Sequence, residues 1–589
     1  MKKSVVIIGG GVAGMSAAHE LIERDFDVTV YERQPYYVGG KARSVDVPNS
    51  AAPGFQPLPG EHGFRFFPGF YRHITNTMSR IPLKDQPGKY VVDNLITCEK
   101  SIQAQEGHKP VVVPAHAPHN LSQLKTSLKA YVGTHDQLSP AEQELMFNKI
   151  WQICTSCYER RMSEYERISW WEFTEAEGKS NAYQQLFVIG LTRTLVAAQA
   201  TEISAKTAGD ILVQLFQLLT SQKGHTDQLL NGPTNEAWLF PWRDYLLSQH
   251  VKYNHGYLAT SIDFDKKAKK ITGVNLVNEA GEEVKATADY YLFAVPVERM
   301  YPLVKDNADL LEAAPLIREL GMLAQSTRWM TGLQYYLSEK IPMLDNTPGH
   351  VIYFDTPWAI TSVSQLQFWK HFHIEKHGNG KVQSILSVDI SDWDTPGQLY
   401  KIPAKDCTRT QIMEEVWYQL ELSLNVGGET ILKPRAEILV EWYLDRDIEE
   451  KPRKHPEKGK PGFITIDEEP LLVNRINTWG MRPSARSGIE NFYLAGDYVQ
   501  CFTDCATMEG ANETARRAVN GILLHSKSKF APCEIWNLHE TAHTKLLRNL
   551  DRKRYFKGEP WKNQTPWLYK LLSLVFVFLE RVLNVRGKD

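Results

Sequence analysis

Cysteine is scarce in this chain of 589 residues. The seven cysteines are too few and too scattered for a disulfide framework. Cys154 and Cys157 fall in a segment that is typical of a helix, and no second pair has zinc-binding spacing, so we predict packed thiols and no metal site. Cys501 and Cys505 are also expected to be buried thiols, with a redox disulfide as the alternative. These features favour a reducing, cytoplasmic compartment.

An excess of charge of one sign is also missing. Lys and Arg total 67 against 69 Asp and Glu, which gives a formal net charge of −2. Without a strong positive field, we expect no nucleic-acid partner. Hydrophobic residues at 42% and charged residues at 23% are instead typical of a folded protein, and the length indicates two or three packed domains.

The apolar segment near the C-terminus is too short to cross a bilayer. Its charge-free core, 571–579, has nine residues, whereas a spanning helix needs about 20. We predict an amphipathic helix at the membrane surface, so that the protein is peripherally membrane-associated; docking on the protein itself or on a second copy is the alternative. The polar boundary of this helix would be formed by Trp567, Lys570, Arg581 and Arg586.

A strand, a glycine turn and a helix open the chain. Residues 3–8 are typical of a strand buried on both faces, and they pass into glycines instead of a cleavage site, so we expect no secretion signal. Residues 12–24 have the apolar spacing of a helix, and 28–31 form the next strand. This βαβ unit within about 30 residues is typical of a Rossmann-type dinucleotide-binding domain.

The glycines of the turn have the GxGxxG spacing of a dinucleotide site. Gly9 would permit the tight turn, Gly11 would let the backbone approach a pyrophosphate, and Gly14 would allow close packing of helix on sheet. Val12 and Ala13 begin the helix, whose free N–H groups would face the phosphates. The spacing and its context therefore predict a nucleotide cofactor.

The residues after the second strand favour FAD over NAD. Glu32 ends that strand, where its carboxylate can accept hydrogen bonds from ribose hydroxyls. Arg33 follows, and then the pair Gly39 and Gly40 leads to Arg43. Glycines that keep side chains away, with a basic residue near the pyrophosphate, suit an FAD that runs through the protein. Arg43 would neutralise phosphate charge.

A distant segment is predicted to reach the ring end of the same cofactor. The strand at 492–495 ends at Gly496 and Asp497, from where the Asp497 carboxylate can bind ribityl hydroxyls. A helix follows whose N-terminus carries Thr507 and Met508. Its positive dipole end would stabilise the negative charge of a reduced flavin.

Together these motifs resemble those of the FAD-dependent amine oxidase and phytoene desaturase superfamily, and within it the plant- and cyanobacterial-type carotene desaturases. The resemblance covers about 1–80, 160–300 and 490–525 and is weak over 330–475. The motifs that carry it are GxGxxG with Glu-Arg at 9–33, GGKARS at 39–44, GFRFFPGFY at 63–71, LAGDY at 494–498 and ATMEGA at 506–511.

The resemblance implies site residues at the flavin ring. Gly63 and Phe64 would line the flavin, and Arg65 and Tyr71 are the candidate catalytic residues. Arg65 stands where the family pattern has His, so a role assigned to that His does not carry over. Arg65 could instead anchor a polar substrate group or a flavin carbonyl, or pair with Glu61.

We predict an α/β protein with a Rossmann-type, glutathione-reductase-like FAD-binding domain and an interleaved α+β substrate domain. The FAD-binding domain would comprise 1–85, 251–300 and 476–525, the substrate domain 86–250 and 301–475, and a C-terminal helical tail 526–589.

Three functions are compatible with these features. The first is desaturation or dehydrogenation of a long apolar lipid, such as an isoprenoid or carotenoid, by hydride transfer to flavin N5, with quinone or oxygen as the electron acceptor. The second is oxidation of an amine. The third is a redox-neutral isomerisation or hydration of a polyene or fatty acid.

Overall fold

The computed structural model describes residues 2–115, 138–190, 192, 198–220, 227–455, 460–540 and 544–563. Strands from both ends and the middle of the chain form its sheets, and helices pack between and around them. The α-helices span Val12–Ile22, His73–Met78, Pro140–Thr155, Tyr158–Ser163, Trp170–Phe173, Ala205–Thr220, Phe240–Ser248, Val297–Val304, Ala308–Ala313, Leu320–Leu323, Pro342–Asp345, Arg409–Leu424, Arg435–Ile438, Met508–His525 and Lys545–Tyr555.

A five-stranded sheet, in which every strand pairs with its neighbours in parallel, holds the N-terminal strand at its centre. We call it the parallel sheet. Its strand Phe492–Leu494 comes from far along the chain because the βαβ unit leaves one edge open for later strands. The spatial order is Lys252–His255, Asp27–Glu32, Ser4–Ile8, Tyr290–Phe293 and Phe492–Leu494.

Two helices that are distant in sequence pack against each other beside this sheet. Val12–Ile22, the first helix, is buried along nearly all of its length. Met508–His525, the late helix, lies across it, and the Asn512 side chain donates hydrogen bonds to Ser16 Oγ at 2.8 Å and Thr77 Oγ1 at 2.9 Å. This contact brings the two predicted cofactor segments to one place.

A seven-stranded sheet, here called the mixed sheet, forms a second layer. Its pairs are antiparallel, except that His350–Tyr353 runs parallel to Lys100–Gln105. Residues 100–114 therefore form one edge of this sheet. The spatial order is Leu439–Leu444, Thr331–Leu337, Ser384–Ile390, Ile360–Ser364, His350–Tyr353, Lys100–Gln105 and His108–Pro114.

Smaller sheets complete the strand inventory of the described residues. The strands Tyr257–Asp265 and Lys270–Asn278 belong to a separate antiparallel sheet, whereas the following strand Tyr290–Phe293 joins the parallel sheet. The smaller sheets are Tyr257–Asp265 with Lys270–Asn278 and Glu283–Ala286; Phe67–Pro68 with Asp227–Leu230 and Leu95–Thr97; Ser44–Asp46 with Pro59–Glu61; Thr327–Arg328 with Leu471–Leu472; and Ile448–Pro452 with Phe463–Asp467.

Two long helices, Pro140–Thr155 and Ala205–Thr220, lie in the stretch between the mixed-sheet edge and the helix Phe240–Ser248. Pro140–Thr155 begins with a capping box, in which Ser139 and Glu142 satisfy each other's backbone N–H groups. It ends before Cys157, which caps the next helix, so the prediction of one helix through both Cys154 and Cys157 was wrong. All seven cysteines lie in described residues, and all are unpaired.

The C-terminal region is described as far as residue 563. The helix Lys545–Tyr555 docks on the body of the protein, where the buried Asp551 pairs with Arg160 at 3.0 Å. The predicted membrane-surface helix at 567–579 lies outside the described residues. Within the described ranges, no helix is both long and apolar enough to cross a membrane. The predicted α/β class with a Rossmann-type βαβ unit is confirmed.

Candidate cofactor and substrate site

One cavity of about 890 Å³ lies between the ends of the parallel sheet and one face of the mixed sheet. It receives all the sequence-predicted site residues except Gly14 and Arg43. Those that line it are Gly9, Gly11, Val12, Ala13, Glu32, Arg33, Gly39, Gly40, Gly63, Phe64, Arg65, Tyr71, Gly496, Asp497, Thr507 and Met508.

The glycine turn forms one end of the cavity. Gly9 has a φ of +100°, and a β-carbon there would come within 2.6 Å of the Ala294 carbonyl oxygen. A β-carbon at Gly14 would come within 1.9 Å of the Gly9 carbonyl oxygen, so Gly14 serves the packing and does not line the cavity. A β-carbon at Gly11 would make only ordinary contacts with the backbone of Gly39 and Gly40, the nearest being Gly40 Cα at 3.7 Å, and Gly11 lines the cavity. At Gly11, the space beside the backbone belongs to the cavity.

Glu32 is buried beside this turn. Its Oε2 accepts a hydrogen bond from the Gly10 amide at 2.6 Å, and its Oε1 accepts one from the Gln34 amide at 2.8 Å. Each oxygen keeps an acceptor site, so the carboxylate can still bind hydroxyl groups. Burial raises its pKa, and the two amides oppose that rise. The geometry fits the ribose-binding role predicted from the sequence.

Arg43 does not reach the cavity. Its side chain is 1% exposed, and its guanidinium pairs with Glu469 at 3.0 Å and with Asp447. It also donates a hydrogen bond to the Gly40 carbonyl at 2.8 Å. The prediction that Arg43 neutralises phosphate charge is therefore corrected: two carboxylates already compensate its charge, and it supports the glycine turn from behind.

The late helix forms the other end of the cavity. Thr507 caps it by accepting a hydrogen bond from the Gly510 amide at 3.1 Å, and Met508 is its first residue. Gly496 and Asp497 lie beside it at the end of the last parallel strand. Because the first turn of a helix leaves backbone N–H groups free, this end of the cavity is suited to negative charge.

Arg65 and Tyr71 also line the cavity, and Tyr71 lies beside Thr507 at the start of the late helix. Arg65 donates hydrogen bonds to the carbonyls of Lys41 at 2.6 Å and Ala42 at 3.4 Å, which ties its segment to the glycine pair. Burial lowers the pKa of Arg65, while Glu61 and Asp389 oppose the shift. Burial raises the pKa of Tyr71 well above its usual value, so its hydroxyl stays neutral.

Asp389 and His350 line the cavity but were missed in the sequence. Asp389 is 5% exposed, and its Oδ1 has no hydrogen-bond partner in the part of the chain that the structure describes. Burial raises its pKa to about 7, against the lowering effect of Arg65 and His62. Burial lowers the pKa of His350 to about 4. The one available signal was an Asp inside a strand that is buried throughout, Ser384–Ile390.

The raised pKa of Asp389 predicts a pH-dependent effect on stability. Because the pKa of Asp389 is higher in the folded than in the unfolded state, the free energy of unfolding decreases as the pH rises through about 7. Asp389→Asn cannot ionise, so the melting temperature of the variant relative to the parent should be higher at pH 8 than at pH 5. Thermal melts of the FAD-free proteins at both pH values measure this double difference.

Asp306→Asn is the control, because the Asp306 side chain is 87% exposed and its relative melting temperature should be the same at both pH values. An unchanged difference for Asp389→Asn would show that Asp389 ionises normally in the folded protein.

The residues at the two ends fit the two halves of FAD. Gly11, which lines the cavity without a side chain, and the buried Glu32 suit a pyrophosphate and a ribose, and the late helix end suits the ring that becomes negative on reduction. Cys505 also lines the cavity, and burial raises the pKa of its thiol and of the Cys501 thiol to about 12. Both thiols are therefore protonated near neutral pH, which favours the simple buried thiols over a reactive pair.

The chain is similar to known proteins over most of its length. The chain is 23% identical over 572 residues to the chloroplastic/chromoplastic zeta-carotene desaturase of Capsicum annuum, covering 91% of this chain and 84% of that protein. It is 22% identical over 548 residues to the zeta-carotene desaturase of Synechocystis sp., covering 88% of this chain and 97% of that protein. The solved structure of an oxidoreductase from Methanosarcina mazei has the same fold, with a TM-score of 0.56 and 12% identity, over 88% of this chain and 100% of that one.

The match to a protein family is broader than the motifs from which the resemblance was inferred. Residues 12–523 match the family described as flavin containing amine oxidoreductase, and this range includes the weakly resembling stretch 330–475. The predicted cofactor and enzyme class are thereby confirmed. The chain belongs to the flavin containing amine oxidoreductase family and is an FAD-dependent oxidoreductase.

Proposed function

We propose that the protein desaturates or dehydrogenates a long, largely apolar lipid of the isoprenoid or carotenoid type. The observation that carries this proposal is the part of the cavity lining that lies beyond the predicted cofactor residues, on residues 66–70, the mixed sheet and the helix Ala205–Thr220; we call this part the arm. Its apolar lining residues include Phe66, Phe70, Val113, Ile211, Leu215 and Ile352. The names of the two similar desaturases point to the same class of substrate.

The chemistry requires a dry site that holds one carbon of the substrate against the cofactor. When bound, FAD supplies the acceptor for a hydride, and the substrate also loses a proton, so that one carbon–carbon single bond becomes double. The reduced cofactor returns two electrons and two protons to an acceptor, for which we propose quinone or oxygen. The protein's part is to exclude water and to orient the lipid, which its apolar arm can do.

Entry of such a lipid would be easiest at a membrane. We propose that the tail segment 564–589, with its apolar core at 571–579, holds the protein at a membrane surface on the cytoplasmic side. A lipid would then reach the cavity without crossing water. Vesicle flotation of the full chain, compared with a chain ending at residue 563, tests the tail independently of the enzymatic reaction.

The decisive experiment is anaerobic. The FAD-loaded protein in detergent is mixed with fractions of an isoprenoid lipid extract, and the flavin absorbance is followed. We expect one fraction to bleach the flavin, and its product to have lost two hydrogens. Product of unchanged mass would indicate isomerisation, and a mass gain of one water would indicate hydration. In a separate assay in air, hydrogen peroxide production with simple amines, without anaerobic bleaching by any lipid fraction, would favour the amine oxidase alternative.

A further inference from the structure

The face of the mixed sheet that lines the cavity carries polar side chains in register. Asp389 lies opposite Thr361, Thr361 opposite Ile352, and Ile352 opposite Gln103. Side chains that are directly opposite in neighbouring strands point to the same face. These four residues therefore form one line across four strands, and all four line the cavity.

A second line lies two residues along the strands on the same face. Val363 is opposite His350, and the pairing of Val351 with Ile102 puts Ser101 level with His350. His350 and Ser101 also line the cavity. We name the residues Asp389, Thr361, His350, Gln103 and Ser101 the polar row. The side of the arm that the mixed sheet forms can therefore make hydrogen bonds, and Asp210 and Gln214 of the helix Ala205–Thr220 add polar groups to the same lining.

Two atoms of the polar row lack partners. Asp389 Oδ1 and His350 Nδ1 are inaccessible to water and form no hydrogen bond with any described residue. Asp389 is 5% exposed and Thr361 is 6% exposed. Because both atoms are covered by protein, the polar atoms that a ligand can reach are the other ones of the polar row, whose residues all line the cavity. Polar groups that are shielded from bulk water are nearly always hydrogen-bonded in folded proteins, so a row of them along a cavity points to a ligand that carries a polar group.

The charges around the polar row favour a neutral ligand group. Arg65 and His62 lie nearest to Asp389, and Arg65 opposes a cationic amine at that place. Burial alone lowers the pKa of His350, so its ring is neutral and can donate or accept one hydrogen bond. A carboxylate would have to give up its hydration beside a neutral histidine. A hydroxyl or carbonyl oxygen meets none of these penalties.

We propose that the substrate is an oxygen-bearing lipid, whose hydroxyl or carbonyl group is held by the polar row while its hydrocarbon chain lies along the apolar lining. This inference rests on the proposed function and narrows its substrate class from a plain hydrocarbon to an isoprenoid alcohol or ketone. A site with unpaired hydrogen-bonding groups discriminates strongly against an analogue that lacks the partner group.

Matched lipid pairs test the proposal. The probes are geranylgeraniol with the hydrocarbon that lacks its hydroxyl, and zeta-carotene with its mono-hydroxylated form. Binding to the FAD-loaded full chain is measured from the shift of the oxidised flavin spectrum, and bleaching is measured separately. We expect the hydroxylated member of at least one pair to bind about tenfold more tightly or better.

Two near-isosteric variants and one control locate the effect. Thr361→Val and His350→Phe should each reduce the preference for the hydroxylated lipid severalfold, and the double variant should abolish it. Ile352→Val, on the same face, should change the binding of both lipids equally and leave the preference intact. The flavin content of each preparation shows that the variants remain folded and loaded.

Each remaining outcome decides one of the two proposals. Equal binding of both members in each pair, tighter binding of the hydrocarbons, or a preference that survives in the double variant would overturn the role of the polar row. A hydroxylated lipid that binds with the expected preference but never bleaches the flavin would support the polar row and contradict the desaturase function. Binding of none of the four lipids would overturn the inference.

Discussion

Replacing Gly11 with valine is expected to give a folded protein without the yellow colour of flavin. The backbone at Gly11 is extended, with φ −71° and ψ −177°, which any residue can adopt. A β-carbon there meets ordinary contacts in the protein, but it projects into the cavity where the pyrophosphate is expected. The added methyl groups should weaken FAD binding by about 100-fold or more, which corresponds to about 2.8 kcal/mol.

The measurement is FAD titration of the apoprotein, followed by thermal melts with and without FAD. The cofactor should raise the melting temperature of the parent because it binds only the folded state, and it should raise that of Gly11→Val far less. Gly480→Ala is the matched control, since Gly480 is exposed and a β-carbon there meets no atom within 4 Å. Normal FAD affinity in Gly11→Val would place the pyrophosphate elsewhere.

Replacing Arg43 with methionine is expected to destabilise the fold by about 3–5 kcal/mol, the usual cost of removing one partner of a buried ion pair. Glu469 and Asp447 would then remain buried without the guanidinium. His62 does not replace it, because its Nδ1 is 2.8 Å from Asp445 Oδ2 and 3.9 Å from Asp447. Methionine keeps much of the volume of the arginine stem, so the loss reports mainly on charge.

The pH dependence of this effect has a definite sign. Burial raises the pKa of Glu469, but Arg43, together with His62, Arg33 and Lys41, more than offsets that effect and holds the pKa at about 2. Because the folded pKa is below the unfolded one, the ion pair stabilises the fold above about pH 4.5, and that stabilisation is lost as the pH falls toward 2. The difference between parent and Arg43→Met should therefore shrink in acid.

Urea unfolding of the apoproteins at pH 7 and pH 4 measures both quantities. Arg552→Met is the matched control, because the Arg552 side chain is 57% exposed and its pair with Glu159 should contribute less than about 1 kcal/mol. A cost for Arg43→Met no greater than that of Arg552→Met would show that the acidic residues around Arg43 are neutral in the folded state.

The cofactor half of this protein is predictable from sequence because its determinants are local. A glycine turn between a buried strand and a helix depends on residues 4–22. The start of the late helix is equally local, because Thr507 caps it directly before its first residue, Met508. Such rules hold within a few residues of a motif. The sequence by itself therefore determined FAD and most of the predicted site residues that line the cavity.

The tertiary structure decided what the local rules could not. Arg43 follows a glycine pair, as a phosphate-binding residue would, but only the fold shows that Glu469 and Asp447, over 400 positions away, reach it first. Likewise, Asp389 and His350 belong to one cavity only because strand register aligns them across the mixed sheet. Contacts between distant segments depend on the whole packing arrangement, so the mixed-sheet side of the cavity could be identified only after the sheets were in place.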